Sequence, residues 1–302
     1  MKAIVKRNNK PQGLSEKASD IILVGLCLVV LFIVAYPLYY VLVASVSNPY
    51  DVYAGKTFLL PSQFSMNGYK AVFADNSIIQ GYFNSIKYTI VGTAFSVIMI
   101  YLTAYPLSVK SLPGRKFLSI FFIITMYFGG GLIPTYLIVK NTGLMNNMWA
   151  LVIPGGVAVG NMIIVRNFFE YSIPKEMIEA AEIDGASKWR TFIQIVVPLS
   201  KPIMAVMVVF SMVAYWNDWF TALIYLKPDK APLPLVLRNV LIKSSASATQ
   251  AGMISGGYAE LNKLTEMIKF SSIIVAAAPM LIIYPFVQKY FEKGFMAGAV
   301  KG

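Results

Sequence analysis

Residues 21–46 read IILVGLCLVVLFIVAYPLYYVLVASV, twenty-six residues without a charge. At 1.5 Å rise per residue this run exceeds the roughly 20 residues needed to cross about 30 Å of hydrocarbon. The basic start supplied by Lys2, Lys6, Arg7 and Lys10 resembles that of a signal peptide. The apolar run, however, is longer than the roughly 7–15 residues of a signal core, so it reads as a retained first span. Five further stretches, 88–109, 117–139, 141–165, 202–226 and 270–288, carry no charge except Asp218. Lipid offers no partner to an unpaired backbone amide, so each is expected to be helical. The expected fold is therefore all-α, a polytopic membrane protein with six transmembrane helices.

Composition points the same way. Hydrophobic residues make up 57% of the 302-residue chain and charged residues 13%, about half the charged share of a soluble domain. A soluble fold of this size has too much surface to hide so much apolar area. The net charge of +12 raises nucleic acid as a partner, but the placement of the charges argues against it. With a cytoplasmic N-terminus and six alternating spans, the inner segments 1–20, 110–117, 168–202 and 289–302 hold 15 Lys/Arg in 77 residues. The outer segments 47–86, 140–147 and 227–269 hold 9 in 91. That is the bias of the positive-inside rule. Six of the outer cations fall in 227–269, a long loop of the kind that translocates largely regardless of charge. No basic run reaches five residues, so no nucleic-acid partner is expected. Cys27 is the only cysteine and forms no internal disulfide. The organisation expected is a cytoplasmic tail (1–20), a six-span domain (21–291) and a C-terminal cytoplasmic tail (292–302). The six-span domain carries an inner loop at 168–202 and an outer loop at 227–269.

Several breakers sit inside the apolar runs. Pro37 should kink the first span. Gly129-Gly130-Gly131, followed by Pro134, should break or loosen the third. Two readings fit that glycine run. It either lines a protein-enclosed or water-filled cavity at membrane depth, or it lets two helix backbones approach closely.

The inner loop 168–202 is the richest segment. Pro174 suits a helix start. Glu176 and Glu179 favour the positive N-terminal end. Met177, Ala180, Ala181 and Ile183 recur at helical spacing, and Gly185 suits a C-terminal stop. Ser187 can cap a second short helix that runs until Pro198 interrupts it. Adjacent alanines let a partner backbone come close, and Glu179, Glu182 and Asp184 offer acceptors to basic groups. The element is either a docking knob for a cytoplasmic protein or an amphipathic helix lying on the headgroups.

Glu179-Ala180-Ala181-Glu182-Ile183-Asp184-Gly185, nine residues, then Ile195-Val196-Val197-Pro198 resembles the EAA loop of binding-protein-dependent ABC importer permeases. That pattern is EAA, three residues, Gly, nine residues, I-x-L-P, and the only departure is Val197. The wider chain is similar to the carbohydrate, maltose-transporter-like branch over nearly all of 14–302. The similarity includes Gly130-Gly131-Leu132-Ile133-Pro134, Trp216-Asn217 and the ending from Gly294 to Gly302. Within that branch it looks most like permeases that import oligosaccharides or polysaccharide fragments.

This resemblance implies a type I ABC importer permease fold in a bacterial inner (cytoplasmic) membrane, multi-pass, with both termini cytoplasmic. It also implies a second, homologous permease subunit, two ATP-binding subunits and an extracellular sugar-binding lipoprotein, with a carbohydrate as cargo. A coupling helix would lie near 174–184, with Glu179, Ala180, Ala181, Glu182, Asp184, Gly185 and Pro198 at the joint to the ATPase. ATP and Mg would be bound by the partner ATPase, with no cofactor, metal or catalytic residue on this chain. The sequence agrees that the nucleotide site lies elsewhere. Gly55-Lys56-Thr57 supplies the end of a phosphate-binding loop, but Tyr50 stands where its first glycine is required.

For the cargo path, Trp216 lies 13 residues beyond Ile203, about 20 Å along a helix. Trp216, Asn217, Asp218 and Trp219 could stack on sugar faces and bond hydroxyls. Alternatively, the tryptophans form an interfacial belt and Asn217 bonds a neighbouring span. The middle of the outer loop, 244–257, could probe the sugar cleft of a binding protein, or it is an ordinary outer loop. An ion-coupled secondary transporter or a channel is the alternative. The first would need intramembrane ion sites, yet Asp218 is nearly alone and the chain has no His. An enzyme finds few acid–base or metal candidates here.

Overall fold

A computed structural model describes residues 14–242, 268–283 and 285. The expected N-terminal tail up to residue 13, the loop middle 244–257 and the C-terminal tail lie outside the described residues. In chain order the helices are α1 (Leu14–Ser45), α2 (Pro49–Tyr53), α3 (Asn67–Ala74), α4 (Asn76–Ser108), α5 (Arg115–Tyr127), α6 (Leu132–Asn141), α7 (Trp149–Val152) and α8 (Val159–Tyr171). They continue as α9 (Lys175–Ile183), α10 (Lys188–Thr191), a π-helical turn over Phe192–Val196, α11 (Val197–Leu199), α12 (Lys201–Trp216) and α13 (Phe220–Tyr225). The set closes with α14 (Leu233–Ile242) and α15 (Ile268–Ile283). Among the described residues no strand forms; the only β-type pairing is the bridge between Ser47 and Phe64.

Two of these helices are long and apolar enough to cross a bilayer, within Ser19–Ser45 and Asn76–Ser108; counting two bent helix pairs as broken spans raises the number to four. The helical class is as expected, and three of the six apolar runs are interrupted rather than single straight helices. Residues 117–139 are not one helix. α5 and α6 meet at 112°, because the three glycines remove side-chain restraint just before Leu132. Residues 141–165 likewise do not form one helix. Pro154-Gly155-Gly156 separates the short α7 from α8, and α8 runs on to Tyr171. Residues 202–226 divide at Asn217–Asp218, where polar side chains cap the flanking turns. Pro37 lies inside α1 without ending it.

α4 is the hub, packing against α7, α8 and α12. Its inward face carries small residues, with Gly81, Ser85, Thr89, Gly92, Thr93 and Ser96 all buried. Small residues let helices approach closely without a side-chain layer between them. At Gly92 the fit is tight, since a Cβ there would lie 2.7 Å from the Tyr215 ring. Two apolar clusters flank this stripe. One joins Ile100, Tyr101 and Ala104 of α4 to Met162, Val165 and Phe169 of α8 and to Val206 and Met207 of α12. The other joins Ile78 and Tyr88 to Leu151, Trp216, Leu233, Val236 and Val275. The beginning of the expected outer loop 227–269 is thus folded into the core, with Leu233 and Leu235 buried.

Candidate functional site

The loop 168–202 builds a helix–glycine–helix element. Pro174 precedes the first turn as the cap residue with φ −60°, and Glu176 sits in that turn. The helix ends at Ile183. Gly185 takes φ +72°, a left-handed conformation that costs a side-chain-bearing residue roughly 1–2 kcal/mol. The Gly185 amide then donates to the Glu182 carbonyl at 3.1 Å and the Ala186 amide to the Ala181 carbonyl at 2.9 Å. These bonds satisfy carbonyls that the helix end would orphan. Ser187 caps the next helix by accepting from the Arg190 amide at 3.2 Å.

Pro198 does not end that helix, contrary to the expectation. A residue at 198 would normally donate to the carbonyl of Gln194, and proline has no N–H while its ring crowds that carbonyl. The chain widens into the π turn over Phe192–Val196 and continues to Leu199. The turn of direction comes at Ser200 instead, where the helix over Lys188–Leu199 meets α12 at 80°.

The element has two faces. Ala181 is buried and Ile178 packs on the core. Met177, Glu179, Ala180, Glu182, Ile183, Asp184 and Gly185 are exposed, Ile183 to 86%. The element is tied to the hub helix. The Tyr105 hydroxyl donates to the Lys188 carbonyl at 3.3 Å, and the Tyr101 hydroxyl donates to the Ser200 carbonyl at 3.1 Å. Tyr105 also packs its ring 4.8 Å from Phe192, and Lys188 pairs with Glu182 across the glycine break. An apolar, rigidly held knob rimmed by carboxylates is suited to insertion into a protein cleft.

The second site is a cavity of about 750 Å³. It lies between the α5–α6 break, the 153–158 loop and the ends of α12 and α13. Gly129, Gly130, Gly131, Thr135, Asn161, Ser211, Tyr215, Asn217, Asp218 and Thr221 are among its walls. The glycine run therefore borders open space. A Cβ at Gly129 or Gly131 would meet nothing within 4 Å, and one at Gly130 only Pro134. Of the two readings of that run, the cavity is the one the geometry carries, not a close helix crossing.

The four residues expected on the cargo path separate. Asn217 and Asp218 face the cavity. The Asn217 amide donates to the Val213 carbonyl at 2.9 Å, and an Asp218 carboxylate oxygen accepts from the Thr221 amide at 3.1 Å. Trp216 points away, 4% exposed in the second cluster, with its indole N–H donating to the Ala276 carbonyl at 3.2 Å. Trp219 also lies off the cavity, edge-on to Phe220 and beneath the Arg238 guanidinium at 4.6 Å. Thr135, Asn161, Ser211 and Thr221 were not singled out from sequence. Their only signal was polarity within apolar runs. The cavity thus offers amide, hydroxyl and carboxylate groups and, among the described residues, no lysine or arginine, a set suited to sugar hydroxyls.

The remnant Gly55-Lys56-Thr57 sits in a turn with no helix following until Asn67, so it lacks the helix N-terminus on which a phosphate-binding loop depends.

Comparison with known proteins places this architecture. Residues 77–297 match the model of the binding-protein-dependent transport system inner membrane component family. The chain is 37% identical over 290 residues to the polygalacturonan/rhamnogalacturonan transport system permease protein YtcP of Bacillus subtilis (strain 168), covering 96% of this chain and 100% of that protein. It is 38% identical over 267 residues to protein LplC of the same organism, covering 88% of this chain and 89% of that one. A chain of the crystal structure of a bacterial ABC transporter involved in the import of the acidic polysaccharide alginate superposes with a TM-score of 0.82 at 30% identity, covering 93% of this chain and 99% of that one. The chain therefore belongs to the binding-protein-dependent transport system inner membrane component family, the membrane permease subunits of ABC importers.

Proposed function

We propose that this chain is one of two paired permease subunits of an ATP-driven importer, and that its cargo is an oligosaccharide or polysaccharide fragment. The observation that carries the reading is a continuous mechanical connection between two sites. The exposed knob at α9 and Gly185 leads into the helix ending at Leu199, through one bend at Ser200, and along α12 to Asn217 and Asp218 in the cavity. A push on the knob is delivered to the cavity wall through two rigid helices and one joint, the kind of bistable rigid-body device that switches access.

In this reading Glu179, Ala180, Glu182, Asp184 and Gly185 meet the ATPase. Ala181 and Pro198 hold the shape of the joint from within and along the second helix. ATP and Mg are bound by two partner subunits and none by this chain. A second permease completes the path, and an extracellular sugar-binding lipoprotein delivers the cargo. Asn217 and Asp218 contact sugar hydroxyls, while Trp216 holds the turn that presents them. Relatives whose names specify polygalacturonan, rhamnogalacturonan and alginate support a carbohydrate as cargo.

The topology that fits is six crossings within 21–291, three of them broken, with the knob and both termini in the cytosol. Uptake by vesicles should vanish when the partner ATPase is inactivated. Uptake that persists on an ion gradient alone would overturn the reading. Orientation is read separately: in a Cys27→Ser background, Lys116→Cys should react with a membrane-impermeant maleimide only from the cytoplasmic side.

A further inference from the structure

A second pocket, of about 550 Å³, lies between the loop after α4, the first turns of α5 and the middle of α8. Lys110, Arg115, Lys116 and Arg166 line it, together with Gly114 and Ser119. The positive-inside rule accounts for cations somewhere at this end of the bundle. It does not account for four of them, from one loop position and two helices, converging on one concavity.

Their compensation is incomplete. Glu170 is shared, accepting from Arg115 at 2.8 Å and lying 3.7 Å from Arg166. The Arg166 Nε is buried without a hydrogen-bond partner. Lys110 and Lys116 form no ion pair among the described residues. The first turn of α5, a 13-residue helix that begins at Arg115, adds backbone N–H groups, which favour an anion at the same place. Immediately along α5, Phe117 and Phe121 are 73% and 53% exposed. A ligand that satisfies both features carries a phosphodiester beside hydrocarbon chains.

We propose that this pocket binds the phosphodiester headgroup of an anionic phospholipid at the cytoplasmic leaflet, with its acyl chains against the exposed aromatic face of α5. The leaflet rests on the orientation proposed above, whereas the ligand chemistry does not. Basic pockets between membrane helices recognise anionic headgroups through this combination of charge and enclosure.

Native mass spectrometry of the full chain in detergent tests it, with phosphatidylglycerol, phosphatidylethanolamine and inorganic phosphate added separately at equal concentration. Phosphatidylglycerol should be retained in preference to the other two. The double variant Lys110→Gln/Lys116→Gln, which alters only exposed side chains, should lower its affinity about thirtyfold, and Lys110→Arg/Lys116→Arg should preserve it. Equal retention of both lipids, undiminished retention by the glutamine variant, or preferential capture of inorganic phosphate would each overturn the proposal. The readout involves no transport, so such a result would leave the importer reading standing.

Discussion

α1 and α4 are the two long apolar helices among the described residues, and they have opposite fates. None of the most apolar stretch of α1 is buried, whereas 44% of that of α4 is. α1 is lined on every side by Leu, Ile, Val and Phe, and its buried positions among the described residues, Val43, Ala44 and Ser45, lie at its end, near where Tyr40 meets Phe270 edge-on at 5.8 Å. α4 is the less hydrophobic helix, yet it organises the bundle. Lipid is as apolar as leucine, so in a membrane hydrophobicity alone does not draw helices together. Close backbone approach and matched surfaces do, and the small residues of α4 supply them.

That contrast can be broken at four points. The largest effect is expected for Ile100→Ala. Ile100 is fully buried against α8 and α12, and the cavity left behind should cost about 2–5 kcal/mol, read as a lowered midpoint of thermal unfolding in detergent. Next is Gly92→Leu, which forces atoms into the Tyr215 ring and should cost about 1–3 kcal/mol; a repacked α4–α12 contact with unchanged stability would contradict the close-approach account. Gly185→Leu follows, with about 1–2 kcal/mol of local backbone strain confined to the knob. Membrane insertion should be normal, while ATP hydrolysis and uptake become uncoupled in the assembled importer. The smallest effect is expected for Leu31→Ala on α1. Leu31 is 62% exposed, and the unfolding midpoint should move by no more than about 0.5 kcal/mol equivalent. A large loss there would contradict the account of α1 as a helix that packs little against the bundle.

The two sites were legible to different degrees. The knob was readable because its signals are local. Pro174, the carboxylates of the first turn, Gly185 and Ser187 each fix a helix end by bonds spanning a few residues, and the structure alters the boundary by a single position. Pro198 misled, because whether a proline ends a helix or widens it depends on whether neighbouring turns can absorb the missing bond. The 141–165 run misled differently, since its hydropathy masked Pro154-Gly155-Gly156. The residues expected on the cargo path were harder still. Adjacent positions on a helix point in different directions, and nothing local says which direction is a cavity.

From sequence alone came the membrane environment, the helical class, the asymmetry of charge and the position of the knob, because each depends on composition or on bonds between near neighbours. Only the tertiary structure decided that the glycine run borders a cavity, that Trp216 is packed in the core while Asn217 and Asp218 are not, and that four scattered cations meet in one pocket. Those facts depend on how segments distant along the chain come together, and that is set by packing along α4 rather than by any single stretch of residues.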